Sequence, residues 1–250
     1  MQKHYLVLIT SILLCACNGN TEKASETNMD IYPQDFTEVL KAHGGLDKWK
    51  KAKTLSFKKD KETYTIDLNS RKALIKTPKY SLGYDGKTAW LKEKDTAAFK
   101  GNVDFYHNLF FYFFAMPFVL ADSGIVYSET QPITVEGKTY PGIKIAYQDG
   151  VGASSKDNYY LYYNAKTHKM EWLAYTVTYF DQKEKGKEQA NIIKYSDWQA
   201  IGGVKLPKTI IWYAKDSLGN IVAPKDPKPV TFSKVSLSAV PVNPSIFNKE

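Results

Sequence analysis

Apolar residues change their spacing at a few sharp places along the chain, and each change marks an element. Between Pro33 and Ala52, Phe36, Val39, Leu40 and His43 fall at i, i+3, i+4 and i+7, one stripe of a 3.6-residue period. Pro33 suits a first helical turn and Gly44-Gly45 a stop, so this stretch predicts a helix, a break and a short second helix that buries Trp49. From Lys53 the period becomes two. Leu55/Phe57, Tyr64/Ile66/Leu68, Ala73/Ile75, Tyr80/Leu82/Tyr84 and Ala89–Leu91 alternate with polar residues and are separated by turn signals such as Asn69-Ser70 and Asp85-Gly86. After Asp122 the alternation resumes in Ile125–Thr130, Ile133–Glu136, Tyr140–Gln148, Asn158–Tyr163, Met170–Asp181, Gln189–Tyr195, Val204–Lys215 and Val230–Leu237. Strands joined by short turns, among them Glu136-Gly137-Lys138 and Asn164–Thr167, form antiparallel sheets rather than βαβ units. About a dozen such strands predict a mainly β (α+β) fold: one domain over 33–250 whose curved antiparallel sheet forms an open half-barrel with helices covering the concave face.

One segment breaks both periods. Val103–Ala121 holds six phenylalanines and is apolar nearly all round. Its length reaches the lower limit for a membrane span, but His107, Asn108 and Pro117 interrupt it. Pro117 removes a helical hydrogen bond, so a helix to about Met116 and a second short turn are expected. Two readings stand open: a core helix filling the concave face of the sheet, or a lid whose aromatic face lines a pocket for acyl chains. Met116 among the rings fits an adaptable surface.

The N-terminus fixes the compartment. Lys3 and His4 precede an apolar run from Tyr5 to Leu14, too short for a span and suited to an export signal. Leu14-Cys15-Ala16-Cys17 resembles a lipobox, which predicts cleavage after residue 16 and acylation of Cys17 with palmitate-type chains. Residues 17–32 are polar and aperiodic and read as a lipidated flexible tether. Cys15 leaves with the signal and Cys17 carries lipid, so no disulfide is available to the folded part. Several acyl chains give a stable anchor. The expected location is the outer membrane, facing the periplasm.

Charge adds little. Loss of Lys3 with the signal lowers the net charge from +8 to +7, and nearly all of the cations are scattered lysines. Arg71 is the only arginine, which argues against nucleic acid as a partner because arginine is the preferred reader of bases and phosphate.

Candidate chemistry is sparse. His43, His107 and His168 match no metal-ligand spacing, so neither a metal nor a cofactor is expected. His43 is read as a cation in the last helical turn, His168 as a hairpin residue and His107 as a core histidine or a polar group of a pocket. Neither a Gly-x-Ser-x-Gly elbow nor a phosphate loop appears, and Gly150-Val151-Gly152 reads as an ordinary loop. Asp67, Asp85, Asp181 and Asp197 are carboxylates whose pairing a sequence does not reveal.

Lys76-Thr77-Pro78 followed by Asp85-Gly86-Lys87-Thr88-Ala89-Trp90 resembles a hairpin of the LolA/LolB-like periplasmic lipoprotein-sorting carriers. Tyr195-Ser196-Asp197-Trp198 followed by Gly202-Gly203-Val204-Lys205-Leu206-Pro207 resembles their later strands. His43-Gly44-Gly45-Leu46-Asp47-Lys48-Trp49 and the aromatic segment ending Met116-Pro117 are similar to uncharacterised lipoproteins of the Bacteroidota. The resemblance implies an open half-barrel with helices plugging its concave side and a cavity for a hydrophobic ligand. Two departures stand out. Thr77 occupies the place where the carriers use an arginine to hold the lid, and a lipid anchor favours the anchored acceptor over the soluble carrier.

These readings predict a membrane-anchored, non-enzymatic protein that binds a lipid or acyl-chain ligand in a dry pocket of a few hundred Å3, roughly the usual range. Phe110, Phe111, Phe113, Phe114, Met116 and Phe118 would form the lid, with His107 as a polar pocket group. Trp90, Trp172 and Tyr175 are candidates for the inner sheet face; Trp172 and Tyr175 point oppositely on a strand, so at most one of them fits. The alternatives are an envelope scaffold with a filled core, binding through Tyr159–Tyr163, and a hydrolase with an unrecognised carboxylate site.

Overall fold

The computed structural model describes residues 27–148, 157–176 and 190–249. The two expected helices are α1 (Gln34–Ala42) and α2 (Leu46–Lys51), and α1 buries Phe36, Val39 and Leu40 along its apolar stripe. The chain between them turns through Gly44 at φ +105°, where a Cβ would lie 2.3 Å from the carbonyl oxygen of Gly203. Only glycine permits that approach.

Thirteen strands occur among the described residues: β1 (Thr54–Lys59), β2 (Glu62–Asp67), β3 (Ala73–Lys76), β4 (Tyr80–Tyr84), β5 (Ala89–Glu93), β6 (Ile125–Val135), β7 (Lys138–Tyr147), β8 (Tyr159–Tyr163), β9 (Met170–Tyr175), β10 (Asn191–Ile201), β11 (Val204–Lys215), β12 (Ile221–Val222) and β13 (Val230–Ser238). They form one antiparallel sheet in the order β5-β4-β3-β2-β1-β13-β11-β10-β9-β8-β7-β6, with β12 attached to β11. Strand β13 joins two meanders, and the outer strands β5 and β6 do not pair with each other, so the curved sheet stays open. The segment between these two edges carries helix α3 (Val103–Phe114) and the 3-10 turn Phe118–Ala121. It runs across the concave face.

Cross-strand register explains what that face is made of. Leu91, Leu82, Ile75, Tyr64 and Phe57 stand opposite one another across β5 to β1. Trp212, Ile193, Leu173, Leu161 and Ile143 do the same across β11 to β7. Both rows belong to the main core, with the helices and the aromatic segment packed on them. A second cluster, including Tyr140, Tyr162, Trp172 and Ile192, lies on the convex face.

The structure corrects several boundaries. Strand β6 runs unbroken through Gln131-Pro132, where two strands were expected. A register shift between Thr130 and Ile133 absorbs Pro132, which an edge strand with a bulge tolerates because no ladder donor is lost. Strand β10 continues past Tyr195 to Ile201 through Asp197, whose φ of +52° is an irregularity the strand crosses without a change of register against β11. Strand β12 is two residues long, too short to carry a period. Helix α3 stops at Phe114 rather than Met116, and the Met116–Pro117 bond is cis. Tyr32, assigned to the tether, packs on the core and donates to the carbonyl of Ala121 at 3.0 Å.

Candidate functional site

Helix α3 starts at Asn102, whose side chain accepts from the backbone N–H of Phe105 at 2.9 Å. Beyond this cap the segment presses its rings into the concave face. Phe114 packs against Phe57 and Phe232, with ring centroids at 4.4 and 4.6 Å. Phe113 meets Tyr175 and Trp212, and Phe118 stacks on Trp49 at 4.9 Å. Phe111, Phe113, Phe114, Met116 and Phe118 are at most 3% exposed. Phe110 is half-buried, with the Lys59 ammonium 4.3 Å from its ring centroid. Burial of each ring contributes roughly 1.5–3 kcal/mol, so these rings hold the segment in the concave face, while Phe105, Phe110 and Tyr112 stay half-buried.

Polar contacts fasten the segment along its length. Tyr195 donates to the carbonyl of Phe113 at 3.0 Å, and Tyr127 to that of Leu120 at 2.6 Å. Near its start, Tyr106 donates to the buried carboxylate of Glu62, which also accepts from Tyr64 and Tyr80 and pairs with Lys59 at 2.9 Å. Burial alone would raise the Glu62 pKa, but hydrogen bonds from Tyr80, Lys59 and Tyr64 and the Lys59 charge bring it below its ordinary value. At the far end, Arg71 Nη2 donates to both oxygens of Asp122, at 2.6 and 2.7 Å. Burial holds the Asp122 pKa above its usual value against the opposing pull of Arg71.

An open space remains along one flank of α3. It has a volume of about 430 Å3 and lies between the helix and β2–β5. Ile66, Ala73, Tyr84 and Ala89 form a cross-strand row along its floor, and the two alanines leave the trough. Phe111 and Tyr112 line it from the helix, and Arg71, Lys87, Asp104, His107 and Asn108 supply its polar groups. His107 stacks on Tyr84 with centroids 4.6 Å apart. Burial lowers its pKa and favours the neutral imidazole against the opposing pull of the Asp104 and Val103 backbone, which lies close to the ring without making a well-aligned hydrogen bond to Nδ1. Among the described residues, no group of three or more His, Cys, Asp or Glu is placed to hold a metal ion.

The inner-face candidates separate. Tyr175 lies on the concave face against Phe113. Trp172 lies on the convex face beside Tyr140 and Tyr213. Trp90 also faces outward: with Leu74 and Gly83 it forms a row covered by the C-terminal turn, and its indole donates to the Phe247 carbonyl at 2.8 Å. Period-two alternation separates two faces without saying which is concave: of Trp172 and Tyr175, only one of which could fit, Tyr175 takes the inner face, and Trp90 is the candidate that lies on the other side. His43 is corrected as well. It is fully buried, donates through Nδ1 to the Val39 carbonyl and packs edge-on against Trp198, and burial lowers its pKa to about 4. It is a neutral core group and not a cation on a helix end. Sequence reasoning missed Tyr84, Tyr112, Ala73, Ala89 and Lys87 as lining residues; the alternation of Ala73, Tyr84 and Ala89 was visible, but their shared row needs the register. Cys17, Gly150–Gly152 and Asp181 lie outside the described residues.

A family model matches residues 3–223. The chain belongs to the family of unknown function DUF6503. No curated protein matches it. Among solved structures, this member of the family is similar to a LolA superfamily protein from Nitrosomonas europaea, at 8% identity over 78% of this chain and 87% of that chain, with a TM-score of 0.39. It is also similar to a DUF1329 family protein from Desulfovibrio piger, at 10% identity over 84% of this chain and 97% of that one, with a TM-score of 0.43. Likenesses this distant carry no argument about function, and the open half-barrel rests on the strand order itself.

Proposed function

We propose that the protein is a non-enzymatic lipoprotein of the outer membrane that holds an apolar ligand in its half-barrel. It is anchored through an acylated Cys17 and faces the periplasm. The observation that carries the reading is the trough beside α3: about 430 Å3 of space on the concave side, lined by Tyr84, Ala89, Phe111 and Tyr112 together with polar groups that include Arg71 and His107. That volume falls within the usual range for small-molecule sites, roughly 300–1,000 Å3. The lipobox-like Leu14–Cys17 and the polar stretch after it support the anchor. No described helix is long and apolar enough to cross the membrane.

Native mass spectrometry tests both halves. The wild-type chain from the envelope should carry acyl mass on Cys17. A full chain with Cys17→Ser should retain bound lipid or fatty acid, and Ala89→Trp, which fills the trough, should remove about nine-tenths of it without lowering the melting temperature. A clean apo mass after incubation with envelope lipid extract would overturn the ligand half.

A specific observation favours a second reading. The centre of the concavity is filled by Phe113, Phe114 and Phe118, as an envelope scaffold requires. In that reading the apo mass persists and the trough stays empty.

A further inference from the structure

We propose that the trough beside α3 takes a single-chain amphiphile with a carboxylate head, its head at Arg71 and its chain along the alanine row; the assignment rests on the hydrophobic-ligand reading above. Buried polar atoms without a partner are rare in folded proteins and call for an explanation. Among the described residues there are four such side-chain atoms: His43 Nε2, Arg71 Nη1, His107 Nδ1 and Trp172 Nε1. Two of the four residues, Arg71 and His107, line this one trough.

Arg71 identifies the head. Its Nη2 is committed to both oxygens of Asp122, and Nη1 is a donor without an acceptor that is shielded from water while the guanidinium lies over Phe111, so a head group binding there has to part the side chains that cover it. A planar guanidinium matches the two oxygens of a carboxylate, and a cationic donor makes stronger hydrogen bonds than a neutral one. Lys87, exposed at the β4–β5 turn, adds a second cation to the lining, against one carboxylate, Asp104. His107, stacked on Tyr84, adds a neutral imidazole to the lining.

The trough also sets the size of the chain. Its floor is a single cross-strand row, Ile66-Ala73-Tyr84-Ala89, and its volume is near the low end of the range for ligand sites, about 300 Å3 upward. One acyl chain fits such a space; the several chains of a lipoprotein or phospholipid do not.

Calorimetric titration of the full Cys17→Ser chain with three twelve-carbon probes tests the assignment. Laurate should bind about tenfold tighter than 1-dodecanol, and dodecyltrimethylammonium should bind weakest. Lys87→Glu, at an exposed turn, should cut the laurate preference to about threefold or less, and Arg71→Gln should abolish it. If Arg71→Gln loosens the fold, Lys87→Glu carries the test alone. Equal binding of laurate and dodecanol overturns the head assignment and leaves the hydrophobic-ligand reading standing, as does a laurate preference unchanged in Lys87→Glu. Failure of all three probes overturns both.

Discussion

At the scale of single residues, His43 shows how context reverses a reading. Near a helix C-terminus a histidine is expected to be a cation, but here the imidazole is buried, and desolvation outweighs the hydrogen bond to Val39 that favours protonation. With a folded pKa of about 4 against roughly 6.5 unfolded, the unfolded state takes up the proton first as pH falls. Stability is therefore complete above about pH 6.5 and declines toward pH 4. Between pH 7 and 5 the loss should be about 2 kcal/mol. His107, lowered in the same direction by burial, adds to the slope. Urea midpoints over this window check it: wild type should fall steeply and His43→Gln should follow a shallower line, and parallel lines for the two would refute the assignment. Glu62 has the same sign at lower pH, since its depressed pKa stabilises the fold above about 4.5 and that contribution is lost on acidification. Residue identity was legible for all these groups. Burial was not, because Trp90, Trp172 and Tyr175 look alike in an alternating pattern and only the curvature of the sheet separates them.

At the scale of elements, periodicity located the helices and most strands because each buries one face. It failed where the backbone is irregular, at the Pro132 bulge, at the positive φ of Asp197 and at the short β12. The two glycine motifs were visible but unexplained in the sequence. They meet in space: the turn after α1 packs on the β10–β11 turn, Lys205 N–H donates to the His43 carbonyl at 2.7 Å, and Lys205 Nζ donates to Ala42. The sheet thus caps the end of α1. Gly44→Ala should cost about 2–3 kcal/mol, combining a left-handed φ with a backbone clash against Gly203 and Val204. Gly137→Ala has positive φ but open space around it and should cost only about 1–2 kcal/mol. Thermal or urea melts separate the two, and equal losses would mean that the docking adds nothing to the backbone term.

At the scale of the whole molecule, the strand order was hidden from the sequence because β13 inserts between β1 and β11 from the far end of the chain. That insertion leaves β5 and β6 as separate edges, and the connection between them has to cross the open face. The aromatic segment lays its buried rings on the concave face of the sheet, and past the helix Phe118 stacks on Trp49 of α2. Whether it acts as a plug or as a lid depends on how its ends are held. Arg71–Asp122 secures the end nearest β6, with both side chains about a third exposed, while Glu62 and its tyrosines hold the other end out of water. The exposed clasp is the weaker one. Asp122→Ala should cost about 1.5–3 kcal/mol, and the loss should be local. Amide exchange should accelerate over 118–124 while α3, held by Glu62 and by Tyr195 on Phe113, keeps its protection. If exchange instead accelerates across 103–121 together, the segment moves as one body, and the route into the trough is a true lid hinged at its start.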